Sequence, residues 1–165
     1  TVTYPNLEAD DVLSILATER PNRQDRRIIV SIDKDFKSVP CNFYDFNRDE
    51  MHEVSTEDAD KYHLMQTIAG DPVDGDNDGA TWDTVMAAYT KAGLTEHDAL
   101  MNAWMAYLMR NVNYNHRWKQ IKNLWMPDCW DAQKKRKYSA IMHKVTGELS
   151  EDLARPNPFD PLEGV

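Results

Sequence analysis

Three acidic clusters, each set against an apolar segment, constrain this chain more than any other feature: Glu8-Ala9-Asp10-Asp11, Asp33-Lys34-Asp35 and Asp71-Pro72-Val73-Asp74. Carboxylates that a fold draws together repel one another and resist desolvation, so a fold that converges them normally does so around hard cations. The seven acids Glu8, Asp10, Asp11, Asp33, Asp35, Asp71 and Asp74 are therefore candidate ligands for magnesium or manganese. The competing reading is three solvated acidic turns, since charge-rich turns are common.

The segments between the clusters read as helix, strand and helix, which brings all three to one end of a sheet. Glu8 to Glu19 carries Val12, Leu13, Ile15 and Leu16 as a helical apolar stripe. Glu8 and Asp11 are three apart and share a face, while Asp10 points elsewhere in the same turn. Acids in a first helical turn also suit the helix dipole, a second reason for Asp10 and Asp11 to be there. Arg26 to Ile32 is a short β-branched run, the pattern of a buried strand in a parallel sheet, and it ends at Asp33. Ligands of open α/β sheets gather at strand carboxyl ends, where Asp33 and Asp35 would project. Asn42 to Phe46 is a second strand, expected to be antiparallel or at an edge.

Further along, Ser55-Thr56-Glu57-Asp58 opens a helix that runs through Tyr62, Leu64, Met65, Thr67 and Ile68 to Gly70. Helices are expected over Thr81 to Ala92, stopped by Gly93, and over Thr95 to Arg110, capped by Thr95. A basic and aromatic segment, His116 to Trp125, closes at Pro127. Asp131 to Val145 reads as a helix rich in Lys and Arg, and a proline-rich tail follows. The expected organisation is a main domain over 1–127, a basic helix over 128–146 and a mobile tail over 147–165.

At 165 residues the chain is one domain plus a tail, large enough to bury roughly two-thirds of its unfolded surface. A formal net charge of −9 ordinarily speaks against nucleic acid, but seven acids sit in the clusters, where divalent ions offset charge locally. Two cysteines, Cys41 and Cys129, make no framework and point to a reduced compartment. No apolar run approaches a membrane span and no secretory leader is evident, so cytosol is the default. The five histidines show no metal-binding spacing, which argues against zinc, and no serine or cysteine nucleophile motif occurs.

Taken in order, Leu7-Glu8-Ala9-Asp10-Asp11-Val12, Ile29-Val30-Ser31-Ile32-Asp33-Lys34-Asp35-Phe36 and Gly70-Asp71-Pro72-Val73-Asp74-Gly75 resemble the phage 5′→3′ exonuclease and flap endonuclease family. That family includes the 5′-nuclease domain of bacterial DNA polymerase I and has a fold related to PIN domains. Ala106 to Arg110, Asn113-Tyr114-Asn115 and Leu124 to Pro127 are similar to the end of the podophage exonucleases, so the resemblance covers Tyr4 to Pro127.

The resemblance implies an α/β fold, a partial PIN-like domain with a small, mostly parallel sheet flanked by helices, followed by a helical region. It implies two divalent ions, one lowering the pKa of a water and one neutralising charge on the leaving oxygen. By matching position Glu8, Asp10 and Asp33 hold the first, and Asp35, Asp71 and Asp74 hold or position the second, with Asp11 assisting. It implies DNA as substrate and a phage-infected bacterial cell as setting.

Three departures go with it. Family members carry a long leading segment with the first sheet strand, two further aspartates and the basic residues of the 5′-end gateway. The family's helix-hairpin-helix has no match in Gly75-Asp76-Asn77-Asp78-Gly79, which runs straight into the helix at Thr81. The residues after Pro127 have no counterpart. The expectation is the C-terminal half of a nuclease, completed by another polypeptide or paired with itself. The alternative is an inactive, nuclease-derived module that binds DNA or protein.

Lys34 and Lys37 flank the second cluster and could meet a scissile phosphate; neutralising the neighbouring aspartates is an equal reading for Lys34. Arg110, Arg117, Lys119 and Lys122, with Tyr114 and Trp118 interleaved, are candidates for DNA-backbone contact, as is the Lys134-Lys135-Arg136-Lys137 patch. For both basic stretches the competing reading is a solvated helix face. Trp82, Met86, Trp104, Met105 and Met109 are expected in the core or on a surface that meets a partner.

Overall fold

The computed structural model describes residues 2–4, 7–19, 27–69, 80–117 and 119–140, with the Ala69 side chain left aside. The chain divides into two compact units, Thr1–Pro127 and Asp128–Val165.

The first unit is mixed α/β. Helix α1 (Ala9–Thr18) leads to strand β1 (Ile28–Ser31), a 3₁₀ turn (Lys34–Ser38) and strand β2 (Asn42–Asp45). Strand β3 (Glu50–Glu53) returns beside β2 and is followed by helix α2 (Thr56–Ala69). Helices α3 (Trp82–Lys91) and α4 (Glu96–Ala106) come next, then a 3₁₀ turn (Asn111–Asn113) and a small hairpin, β4 (Tyr114–Asn115) with β5 (Gln120–Ile121).

The three-stranded sheet has the order β1-β2-β3, with β1 and β2 parallel and β2 and β3 antiparallel. Ile29 lies opposite Phe43, and both are buried with Phe36 and Val39 in one cluster, against which Ala17, Cys41 and Leu108 pack. Phe36 reaches that core because the 3₁₀ turn folds Lys34–Ser38 back under the strands. The connection from Ile32 to Cys41 carries the chain back so that β1 and β2 run parallel, which puts both strand carboxyl ends on one side.

Two readings of the sheet need correction. The β-branched run does form a strand paired in parallel, but only Ile29 of β1 is buried; Ile28 is 49% exposed, Val30 61% and Ile32 59%. Among the described residues the strand is at the sheet's edge with one face open, so its apolar alternation feeds the core only from one side. Strand β2, expected antiparallel or at an edge, is antiparallel to β3 as expected, but it also pairs in parallel with β1 and so is central, not at an edge. Its other neighbour, β3, is charged and mostly exposed, with no apolar signal to find it by.

The helices α2, α3 and α4 pack on one another beside the sheet. Thr81 and Thr95 cap α3 and α4 with reciprocal capping boxes, and Gly93 takes φ +75 after α3, where an L side chain is disfavoured. Helix α4 ends at Ala106, four residues before the expected stop. Met109 N–H instead donates to Asp11 Oδ1 at 2.9 Å, and Arg110 turns inward to Asp60. Those distant partners replace the last helical bonds. Trp82 is buried as expected of the Trp and Met set, whereas Met105 is 76% exposed.

The second unit is helical at 132–140. Asp131 Oδ1 accepts from Lys134 N–H at 2.7 Å and starts the helix, while Trp130 packs against Tyr138. The remainder of the expected basic helix and the tail lie outside the described residues.

Candidate functional site

Asp10 of the first cluster and Asp33 of the second lie within electrostatic reach of each other. Helix α1 packs against β1, and Asp33 lies two residues beyond the end of β1. Glu8 stands at the N-cap of α1 with no capping bond from its side chain, and Asp10 and Asp11 occupy the first turn. Asp10 is held above the ordinary carboxylate range by partial burial, then by the negative charges of Asp33 and Glu8. The helix dipole favours charge there, yet burial and repulsion win. Among the described residues neither Glu8 nor Asp10 forms an ion pair with a basic side chain.

Asp11 is also pushed up, first by burial, with Glu8 and Asp10 adding repulsion, while the Met109 N–H works the other way. Its carboxylate therefore stitches α1 to the segment after α4. Thr18 Oγ1 makes the matching stitch at the far end of the helix, accepting from Asn111 N–H at 2.8 Å.

The second cluster is built by the turn itself. Asp33 N–H donates to Ser31 Oγ at 3.1 Å, and Asp33 Oδ1 accepts from Asp35 N–H at 2.9 Å, capping the 3₁₀ turn. Ser38 Oγ donates to the Asp35 carbonyl at 2.7 Å. From α2, Gln66 Nε2 donates to Asp35 Oδ1 at 2.7 Å. Lys34 is exposed and Lys37 half-buried. Asp71 and Asp74 lie outside the described residues, so of the three clusters the structure relates only the first two, through the nearness of Asp10 to Asp33.

An all-oxygen set of Glu8, Asp10 and Asp33, with Asp10 destabilised by its neighbours, suits a hard divalent cation better than a soft one. Among the described residues, however, no three His, Cys, Asp or Glu side chains form a group that could hold a metal ion.

Of the basic candidates, Arg117, Lys119 and Lys122 are exposed on or beside the β4–β5 hairpin, with Lys119 at φ +50 in its turn. The hairpin leans on the segment leading into α1 through Tyr4, whose ring stacks on Tyr114 at 4.9 Å. Arg110 has a different position. It is 8% exposed, ion-paired with Asp60 at 2.7 Å and hydrogen-bonded to the Ser38 carbonyl at 2.9 Å. Its guanidinium ties α2 to the turn below β1 and is not presented to a DNA backbone. Trp118 lies outside the described residues.

The sequence pattern passes over Asp60 and Gln66. The buried face of α2 is Ala59, Tyr62, His63, Gln66 and Thr67, not the Leu64, Met65 and Ile68 side. Three polar residues on a buried stripe were a signal available from the helical period starting at Ala59. Asp45 is a third, at the carboxyl end of β2, where Oδ1 caps the turn through Asn47 and Arg48 N–H.

The class the described residues define is a mixed α/β domain in which the helix-borne Asp10 lies within electrostatic reach of Asp33, beyond the end of β1. Two curated phage proteins are similar to it in sequence: the exodeoxyribonuclease of Enterobacteria phage T3 and the exonuclease of Escherichia phage T7, each 29% identical over 76% of this chain. The chain is thus similar in sequence to two phage exonucleases. It spans 57% and 58% of the length of those two relatives, little more than half. No family model matches, and no solved structure matches. Among the described residues no helix is long and apolar enough to cross a membrane.

Proposed function

We propose that this chain carries the acidic site of a divalent-metal-dependent 5′→3′ exonuclease or flap endonuclease acting on DNA, with a PIN-like arrangement of strand and helices. The observation that carries the reading is Asp10, whose carboxyl is held above the usual range first by partial burial, then by the charges of Asp33, from another element, and of Glu8. An arrangement of that kind is unfavourable for the fold alone, and the two relatives named above are called an exonuclease and an exodeoxyribonuclease.

In this reading Glu8, Asp10 and Asp33 hold one Mg²⁺ or Mn²⁺, and Asp35 with Asp71 and Asp74 holds or positions the other. When bound, the ions supply charge neutralisation to the phosphodiester as it breaks. The chain's own residues do the rest. Asp33 and Asp35 are fixed by the 3₁₀ turn, Lys34 is exposed beside them to meet the scissile phosphate, and Lys37 lies one turn on. Arg117, Lys119 and Lys122 give the backbone of DNA a basic edge. Asp11 holds α1 in place through Met109. The setting is the cytoplasm of a phage-infected bacterial cell.

Completion by further polypeptide belongs to the same proposal. The open sheet face with Ile28, Val30 and Met51 is the surface it would cover, since the relatives are nearly twice as long as the part matched here. That completion comes from further polypeptide, whether joined to this chain or separate from it.

One observation favours a second reading, a nuclease-derived module without catalysis: no metal-holding group forms among the described residues. The two separate cleanly in experiment. The nuclease reading expects Mn²⁺ to raise the melting temperature and 5′-labelled DNA to be degraded, by the chain alone or with its completing polypeptide. Asp33→Asn, which keeps the oxygen that caps the turn but removes the charge, is expected to abolish cleavage and leave the apo fold intact. Unchanged cleavage in that variant sinks the site as drawn, and absence of any Mn²⁺-linked stabilisation leaves the non-catalytic module.

A further inference from the structure

The β4–β5 hairpin stands in the longest acid-free part of the sequence. From Ala99 to Pro127 there is neither Asp nor Glu, in a chain with 28 of them. Arg117, Lys119 and Lys122 are exposed there, so the local field is positive although the formal net charge is −9. The hairpin is also firmly rooted. Lys122 N–H donates to the Asn113 carbonyl at 2.7 Å, Asn113 Nδ2 donates to the Asn123 carbonyl at 3.1 Å, and Tyr114 is 4% exposed.

An aromatic column rises from that root. Tyr4 lies on Tyr114 with ring centroids 4.9 Å apart and 20° between the planes. His116 is edge-on to both, 5.8 Å from Tyr4 and 5.2 Å from Tyr114. The three separations are nearly equal, so His116 stands beside the pair and not over the outer face of Tyr4. Among the described residues no other ring meets Tyr4. Tyr114 is too deeply buried to meet a ligand; Tyr4 is the half-buried ring at the surface, with its hydroxyl 3.4 Å from His116 Nδ1. A π-face beside exposed cations is the pairing that holds single-stranded nucleic acid, with bases stacked on the ring and phosphates drawn to the charge. A base inside a duplex has no such face to offer, because its neighbours in the stack cover both.

We infer that the outer face of Tyr4 is a stacking platform for one unpaired base of a DNA strand whose phosphates run along Arg117, Lys119 and Lys122. That platform presupposes the DNA reading above, names the single strand as what the hairpin takes, and needs neither metal nor cleavage.

The test is binding of a labelled oligothymidine and of a blunt-ended duplex to the full chain in EDTA, followed by fluorescence anisotropy at several salt concentrations. Tyr4→Ala is expected to raise the Kd for the single strand about tenfold. The slope of log K against log salt stays unchanged in that variant, since no phosphate contact is lost, and its duplex affinity stays at the wild-type value. Tyr4→Phe keeps the ring and recovers most of the loss. Lys122→Gln weakens both ligands and reduces the magnitude of the single-strand slope by about 0.7. If Tyr4 only props the hairpin, Tyr4→Ala weakens both ligands alike and flattens the slope, which overturns the inference and leaves the basic edge standing. An unchanged single-strand Kd in Tyr4→Ala overturns it too, as does a loss in Tyr4→Phe as large as that in Tyr4→Ala. Should Tyr4→Ala not fold, Tyr4→Leu covers Tyr114 without a π-face and is read in the same way. Wild type that binds neither ligand overturns the inference together with the DNA reading, whereas binding without Mn²⁺-dependent cleavage sinks the nuclease reading alone.

Discussion

His63 is fully buried between α2 and α4, edge-on to Tyr107 and Trp125, and its Nδ1 has no hydrogen-bond partner. Burial lowers its pKa from 6.5 to about 4, with the Arg110 charge acting in the same direction and the Ala103 carbonyl opposing them. The unfolded chain takes up this proton near pH 6.5, the folded chain only near 4. Between those values the unfolded state binds more protons, so stability falls as pH falls; above 6.5 the contribution is fully present. At 1.36 kcal/mol per unit, the loss by pH 4 amounts to about 3 kcal/mol at most. Asp10 and Asp11, with raised values, act oppositely and relieve the fold as they protonate. Urea unfolding at pH 7 and pH 4.5 therefore needs a paired comparison: His63→Phe is expected to lose less stability than wild type across that interval. Equal losses would mean that His63 is charged in the folded protein. Among single residues, Asp33 was legible because it follows an apolar strand. Arg110 was not, because whether an arginine meets Asp60 or solvent depends on a helix 50 positions away in sequence.

At the scale of elements, local chemistry and tertiary partners decide different boundaries. The starts of α3 and α4 are local: Thr95 Oγ1 accepts from Asp98 N–H at 3.3 Å while Asp98 Oδ2 accepts from Thr95 N–H at 2.8 Å. Such reciprocal caps are readable in any sequence, and Thr95→Ala is expected to cost about 1 kcal/mol, lowering the melting temperature by about 2–4 °C. A loss below the error of calorimetry would show that packing alone starts α4. The end of α4 is set at a distance, since Asp11 and Asp60 capture Met109 and Arg110, and no pattern within 95–110 announces that. Strand β1 was legible as a strand and as parallel, from its β-branched run ending in an acid. Its exposure was not, because periodicity tells which residues alternate and not whether anything covers the second face. The hairpin β4–β5 escaped notice for a related reason: two-residue strands carry no period.

At the scale of the whole molecule, that second face is left uncovered among the described residues. Val30 lies opposite Tyr44, and Tyr44 opposite Met51, so one row of the sheet presents Val30 at 61% and Met51 at 57% exposure. Ile28 and Ile32 extend the apolar surface along β1, which among the described residues pairs only with β2. An apolar strand at a sheet edge is a template for pairing with another chain, and natural edges are blunted with lysine or proline where pairing is unwanted. Nothing of that kind stands between Ile28 and Ile32. The isolated first unit is therefore expected to self-associate as its concentration rises, through this face, in the absence of completing polypeptide. Val30→Lys places a charge on the outward side of an exposed position, so its effect on folding should stay within about 0.5 kcal/mol. Sedimentation velocity on wild type and Val30→Lys reads the consequence: a concentration-dependent shift to larger species in the first and a smaller or absent shift in the second, at equal melting temperature. Asp33→Asn serves as the complementary control, since it removes a charge at the strand's end without touching the row and should associate as wild type does. If wild type stays monomeric at every concentration, or if Val30→Lys associates equally, the open face is not the joining surface, and the acidic corner must be completed from elsewhere.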